Sequence, residues 1–353
     1  VLPKKILVIR FSAMGDVVLL VPVLRSLVNA YPEVQVTVLT RPKFSIFFAH
    51  LPGVAVFAAD VDKEYTGLNS LLRLFNNLLK LRFNTVIDVH DHLRTKVLRT
   101  LFYFCRVPVV VFDKGRGDKK KFTRKVNKVT HTLPHTVERY QQAFHEAGFK
   151  FPFLKGPHLV VTDSASQTVT RWLTNINVSK NETWIGIAPF AMHYTKMWPV
   201  HLYKSLIALL LKKQSCRFFL FGGGQKEIDF FTSLLREFPD NTTIVAGQLK
   251  LEAEWALMQQ LDLMLCVDSS NMHLATLVGT PLLSIWGGTH PAVGFGPFQR
   301  DDESIIELSR GEISCRPCSV YGKETCYRGD FACMMGITPQ MIAERIIRQV
   351  RTS

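Results

Sequence analysis

Four short segments put ionisable and hydroxyl side chains where an apolar run gives way to a helix-forming stretch. Parallel α/β sheets hold their ligands at such junctions. The first, Phe11-Ser12-Ala13-Met14-Gly15-Asp16, follows the apolar run at residues 5–10. Gly15 lets a ligand approach the backbone, and the helix start that follows offers free N–H groups. The plainer alternative is that Asp16 only complements a helix N-terminus. No Gly-x-Gly-x-x-Gly is present here, so this is not a dinucleotide fingerprint. The second segment, His193-Tyr194-Thr195-Lys196-Met197-Trp198-Pro199, sets a lysine beside a hydroxyl, a pairing suited to a phosphate unless Lys196 is merely solvated. In the third, Phe221-Gly222-Gly223-Gly224-Gln225-Lys226-Glu227, three glycines precede a glutamate that could bind ribose hydroxyls or simply open a helix. The fourth, Val267-Asp268-Ser269-Ser270-Asn271-Met272-His273, offers helix-capping side chains, a carboxylate for sugar hydroxyls and free backbone N–H groups for a diphosphate.

Alternating apolar and amphipathic runs must position these segments. Strands are expected at residues 5–10, 34–39, 54–57, 85–89 and 107–112, with helices at 15–30, 68–81, 93–105 and 134–147. The pattern restarts after residue 160. Helices follow at 164–175, 200–213, 226–238, 251–259 and 271–278, and strands at 184–188, 217–221, 243–245, 263–267 and 282–286. Such alternation argues for an α/β protein of two Rossmann-like domains facing each other across a central cleft. The expected domains are residues 1–160 and 161–335, closed by an amphipathic C-terminal helix within 336–353.

A chain of 353 residues, 47% hydrophobic and 20% charged, is neither disordered nor a disulfide scaffold. No apolar run approaches the roughly 18 residues of a membrane helix. The basic start at Lys4 and Lys5 imitates a signal peptide, but Arg10 and Asp16 interrupt the apolar region, so an intracellular protein is expected. The net charge of +14 is uneven: residues 1–160 hold 25 basic and 11 acidic side chains, and residues 161–353 hold 18 of each. That asymmetry suggests a polyanionic partner for the first half, against the plainer reading of a solubility feature. The densest stretch, residues 113–128, has eight basic and two acidic residues and reads as a mobile loop.

Taken in order, the four segments resemble glycosyltransferase family 9, the ADP-heptose:lipopolysaccharide heptosyltransferases of GT-B fold. The likeness rests on S-x-M-G-D at residues 12–16, K-x-W-P at 196–199, the G-G-G-x-x-E turn ending at Glu227 and D-S-S-x-x-H at 268–273. Gly279-Thr280-Pro281 and Gly287-Gly288-Thr289-His290-Pro291 extend it. The resemblance covers essentially the whole chain and implies an inverting, metal-independent transfer of heptose from ADP-heptose to the inner core of lipopolysaccharide. It implies an N-terminal acceptor domain and a C-terminal donor domain. Asp16 would be the general base, and Lys196 would neutralise the departing diphosphate. Thr195, Glu227, Asp268, Ser269, Ser270 and His273 would bind the donor. Ser12, Arg94, Lys119, Lys120, Lys121 and Arg124 would meet an anionic lipid A–Kdo or heptosylated core acceptor. The nucleotide-sugar is then a substrate, with no cofactor, no metal and no nucleic-acid partner. The expected location is cytoplasmic, peripheral on the inner membrane.

Cys315, Cys318, Cys326 and Cys333 could complete a tetrahedral structural zinc site, but reduced, packed thiols are the preferred reading. Rival functions are a family member using another nucleotide-sugar, a GT-B epimerase, and a basic nucleic-acid binder. The last explains the charge but not the glycine-rich turns of the second half.

Overall fold

The structure is a computed structural model that describes residues 5–129 and 131–352; Lys4 and the extreme ends of the expected domain ranges lie outside it. The chain forms two compact units, Val1–Arg116 with Pro134–Val160, and Gly117–Leu133 with Val161–Ser353. Residues 117–133 carry six basic and one acidic side chain, so the +14 divides as +9 and +5 between the units. The charge split by chain half is therefore not the split by folded unit.

Unit 1 is built on five parallel strands: β1 (Lys5–Ile9), β2 (Gln35–Thr40), β3 (Val54–Ala58), β4 (Thr85–Asp88) and β5 (Val109–Val111). Their order is β3-β2-β1-β4-β5, so connections run one way from β1 to β3 and the other way through β4 to β5. The reversal between β1 and β4 opens a crevice at their carboxyl ends, the place where such sheets bind ligands. The helix expected over residues 15–30 is two helices, α1 (Met14–Val18) and α2 (Val21–Ala30). Pro22 explains the break, because it has no N–H to donate to Val18 and its ring opposes a continuous helix. Helices α3 (Leu68–Leu79) and α4 (Leu93–Phe104) adjoin through Phe75 and Phe102, whose ring centroids are 5.0 Å apart. The core joins Leu7, Ile9 and Val86 of the sheet to Leu71, Leu74 and Leu98 of these helices.

The stretch expected as a mobile basic loop contains α5 (Arg116–Phe122). Two apolar anchors hold it down: Phe122 and Leu133 bury against Val293, and the Leu133 N–H donates to the Ala292 carbonyl at 2.9 Å. Lys128 Nζ donates to the carbonyls of Cys315, Arg316 and Pro317 at 2.6, 2.8 and 3.0 Å. Helix α6 (Thr136–Glu146) then returns the chain to unit 1.

Unit 2 begins with α7 (Asp163–Asn175) and has six parallel strands: β6 (Thr183–Ala188), β7 (Cys216–Leu220), β8 (Thr242–Ile244), β9 (Leu263–Val267), β10 (Leu282–Ile285) and β11 (Ile305–Ile306). The order β11-β10-β9-β6-β7-β8 places its reversal between β6 and β9. Helices α8 (Leu202–Leu211), α9 (Gln225–Glu237), α10 (Leu251–Met258), α11 (Ser270–Val278) and α12 (Ala332–Met335) complete the unit with α13 (Pro339–Thr352), which packs on α8. Ile342, Ala343 and Ile346 of α13 are part of this core, which explains the apolar stripe read at the end of the sequence. Among the described residues no helix is long and apolar enough to cross a membrane.

Candidate active site

Unit 1 presents its chemistry at the β1/β4 reversal. Arg10, just past β1, is 5% exposed, and its guanidinium is held between acceptors. Its Nη1 donates to the Val89 carbonyl at 2.5 Å, and its Nη2 lies 2.6 Å from Asp16 Oδ2. Burial pulls the Arg10 pKa down, but Asp16 and its other neighbours outweigh that and leave it raised. Tyr140 Oη donates to the Asp16 carbonyl at 3.2 Å, so both the main chain and the side chain of Asp16 are fixed. The Asp16 side chain remains 31% exposed. It is thus an oriented carboxylate that an incoming hydroxyl can reach.

Beside it, Ser12 Oγ sits 3.3 Å from His90 Nε2. His90 follows β4, and burial, reinforced by nearby Arg10, lowers its pKa to about 3, so the ring is neutral. Asp88, fully buried, accepts the His90 and Asp91 backbone N–H groups on Oδ1 and Arg99 on Oδ2, each at 2.9 Å. Asp91 pairs in turn with Arg99 and Arg116, at 3.1 and 3.0 Å. These carboxylates brace the β4 turn. Arg94 lies 3.5 Å from Asp62.

Unit 2 repeats the logic at the β6/β9 reversal. Lys196, after β6, places Nζ 3.0 Å from Asp268 Oδ2, after β9. Thr289 Oγ1 donates to the same oxygen at 2.8 Å. Asp268 is buried, while Lys196 keeps two further N–H donors for a ligand. Helix α11 starts immediately beyond, with Ser269 as N-cap, and its first backbone N–H groups have no intrahelical partner. Ser269 Oγ is buried without a hydrogen-bond partner among the described residues. A lysine ammonium beside a helix start suits a phosphate group.

Backbone clamps set Lys196 in place. Thr195, 1% exposed, donates its N–H to the Lys323 carbonyl at 3.0 Å and accepts the Lys323 N–H on Oγ1 at 2.8 Å. Its carbonyl accepts the Gly288 N–H at 3.0 Å, and a Cβ on Gly288 would lie 2.9 Å from Thr195 Cβ. Gly322, at φ +94°, passes so close to Lys196 that a Cβ would come within 2.9 Å of its Cδ. The Gly288 carbonyl accepts the N–H groups of Cys318 and Ser319, so the cysteine-bearing segment is scaffold for this turn. Burial raises the pKa of Cys318 and takes that of Cys333 to about 12. All four of these thiols are free, and among the described residues no three His, Cys, Asp or Glu side chains are grouped to hold a metal ion.

The remaining residues singled out from the sequence are placed as follows. Glu227 folds back over its own turn and accepts the Gly223 N–H on Oε2 at 2.8 Å. Burial raises its pKa, and that amide draws it partly back. Ser270 is the first residue of α11, and His273 is buried within that helix. Lys119 is 5% exposed, with Nζ 4.2 Å from the Phe295 ring centroid. Lys120, Lys121 and Arg124 are exposed, and Lys121 pairs with Asp118 at 3.4 Å. Sequence reasoning missed Arg10, read only as the end of a strand. A lone arginine closing an apolar run six residues before an aspartate was the available signal. The clamp roles of Gly288, Gly322 and Lys323 left no local signal.

The model for glycosyltransferase family 9 (heptosyltransferase) matches residues 71–325. The lipopolysaccharide core heptosyltransferase OpsX of Haemophilus influenzae is 20% identical over 297 residues, 82% of this chain and 80% of that protein. A glycosyltransferase family 9 structure from Veillonella parvula superposes with a TM-score of 0.77 at 15% identity, covering 99% of this chain and 98% of that one. The Escherichia coli heptosyltransferase WaaC with ADP gives 0.66 at 18% identity, over 98% and 99%. At these identities the structural likenesses establish the shared GT-B fold.

Proposed function

The chain belongs to glycosyltransferase family 9, and from that premise we propose that it transfers heptose from ADP-heptose to the inner core of lipopolysaccharide, inverting the anomeric carbon without a metal. OpsX is a lipopolysaccharide core heptosyltransferase, and the WaaC structure contains ADP; both support this choice of donor and acceptor. Each unit supplies one half of the reaction. In unit 1, Asp16 takes the proton of the acceptor hydroxyl as that oxygen attacks the anomeric carbon. General-base assistance of this kind contributes about 10²–10⁴-fold. Arg10 positions the carboxylate.

In unit 2 the bond from the anomeric carbon to the diphosphate breaks, and ADP leaves with the bonding electrons. Lys196 and the α11 start at Ser269 and Ser270 receive the charge that builds on the leaving group. Thr195 holds Lys196 in place. Asp268, whose Oδ2 is engaged by Lys196 and Thr289, offers Oδ1 to heptose hydroxyls, and Glu227 binds the ribose. His273 completes the donor side from within α11. Ser12 and Arg94 contact the acceptor. Lys120, Lys121 and Arg124 meet its phosphates or Kdo carboxylates, with Lys119 adding to the local positive field. The enzyme works at the cytoplasmic face of the inner membrane, attached peripherally, and has no nucleic-acid partner.

The observation that carries this reading is the Lys196–Asp268 pair, 3.0 Å apart beside the α11 start at a topological switch point. Mass spectrometry of the product formed from ADP-heptose and truncated lipid acceptors tests it, with UDP- and GDP-sugars as competitors. A mass increment of one heptose is expected. Transfer from a competing sugar, or conversion of a nucleotide-sugar with no acceptor present, would replace the proposal.

A further inference from the structure

Helices α3 and α4 contain Arg73, Arg94, Lys96 and Arg99 and no acidic residue. At their adjoining C-terminal ends, Tyr103 and Phe104 are 70% and 76% exposed, with Leu79 also at the surface. The contact of Phe102 with Phe75 and Phe83 brings the two ends together, at 5.0 and 6.5 Å between ring centroids. Lys80 and Arg82 follow the end of α3, and Arg106 follows the end of α4. All three are exposed, and none has an acidic partner among the described residues.

Complementing the helix dipoles would explain cations here, but not two solvent-facing aromatic rings. The backbone adds a second peculiarity. Arg82 and Arg106 stand at φ +55° and +60°, left-handed positions where glycine is the stable choice. An arginine thus follows each helix within two residues of its C-cap, in a conformation that disfavours any side chain.

We propose that unit 1 docks on an anionic lipid bilayer through these paired helix ends, with Tyr103 and Phe104 entering the interface and Lys80, Arg82 and Arg106 meeting lipid phosphates. The inference deepens the proposed peripheral attachment and rests on it for the choice of occupant. Aromatic rings sit at the headgroup boundary of membranes, and an acid-free basic rim matches an anionic leaflet. In parallel βα units the helix C-termini lie at the edge opposite the strand carboxyl ends. Docking would thus leave the edge that carries Asp16 uncovered, about 16 Å from the surface by one strand length.

The test is sedimentation of the full chain with vesicles of phosphatidylcholine alone, and of phosphatidylcholine mixed equally with phosphatidylglycerol. Neither acceptor nor nucleotide-sugar is present, so the outcome is independent of the transfer reaction. Binding is expected only to the anionic vesicles and should weaken with salt. Each cation contributes roughly fivefold, so the variant K80Q/R82Q/R106Q should bind on the order of 100-fold more weakly. The variant Y103S/F104S should bind at least about tenfold more weakly, with melting temperature unchanged because those rings are exposed in the free protein. Wild-type-like sedimentation of both variants overturns the proposal. So does a concentration-dependent dimer in light scattering that Y103S/F104S abolishes, which would give the rings to a second copy. Unchanged vesicle binding by a chain that transfers no heptose would remove the proposed reaction and leave this surface standing.

Discussion

Asp16→Asn should separate chemistry from architecture, because Asp16 is both the proposed base and the partner of Arg10. The substitution keeps the shape and an acceptor oxygen but removes the charge facing Arg10, which is 5% exposed and 2.6 Å away. Stripping one partner from a fully buried ion pair costs about 3–5 kcal/mol. Here Asn still accepts a hydrogen bond, Arg10 keeps the Val89 carbonyl, and Asp16 is 31% exposed, so about 1–2 kcal/mol is expected. For a unit of this size that lowers the melting temperature by roughly 3–7 °C. Turnover, measured well below the transition where the variant is folded, should fall by about 10²–10⁴-fold. Arg10→Met should lower turnover less, since it leaves the base in place but unoriented. A folded Asp16→Asn enzyme retaining more than about a tenth of wild-type turnover would refute the assignment of Asp16 as base and leave it a structural partner of Arg10.

Three further outcomes follow from the geometry. His90 is held neutral by burial with a pKa of about 3, whereas the unfolded chain takes up that proton near the ordinary value of 6.5. Its contribution is therefore complete above about pH 6.5 and is lost as pH falls, costing about 2 kcal/mol between pH 7 and pH 5; urea unfolding should show this slope, and His90→Gln should remove it. Lys196→Ala should weaken nucleoside diphosphate binding by roughly 10–100-fold in calorimetry, because a charge-assisted contact is lost and Asp268 repels the phosphates unscreened; unchanged affinity removes Lys196 from the donor site. Lys128→Met deletes three donations to the carbonyls at 315–317, so trypsin should cut at Arg124 and Lys125 about tenfold faster or more; an unchanged rate would mean that Phe122 and Leu133 alone hold the segment.

The sequence by itself determined the alternating elements, because apolar period and glycine-rich turns are local properties. Strand β9 matches its expectation over residues 263–267, and the helix expected over 68–81 forms as Leu68–Leu79. It also determined the family, through four motifs each lying at the carboxyl end of a strand. Tertiary structure decided which charges meet. Lys196 and Asp268 are 72 positions apart in the chain, and only the adjacency of β6 and β9 makes them a pair. Arg10 became the partner of Asp16 because β1 lies in the middle of its sheet, where an arginine at the strand's end is buried and must find acceptors. Residues 117–133 read as a loose basic loop because charge dominates their composition. Two apolar anchors and one lysine on three carbonyls fix them to unit 2, and no count of charges along the chain could reveal those distant partners.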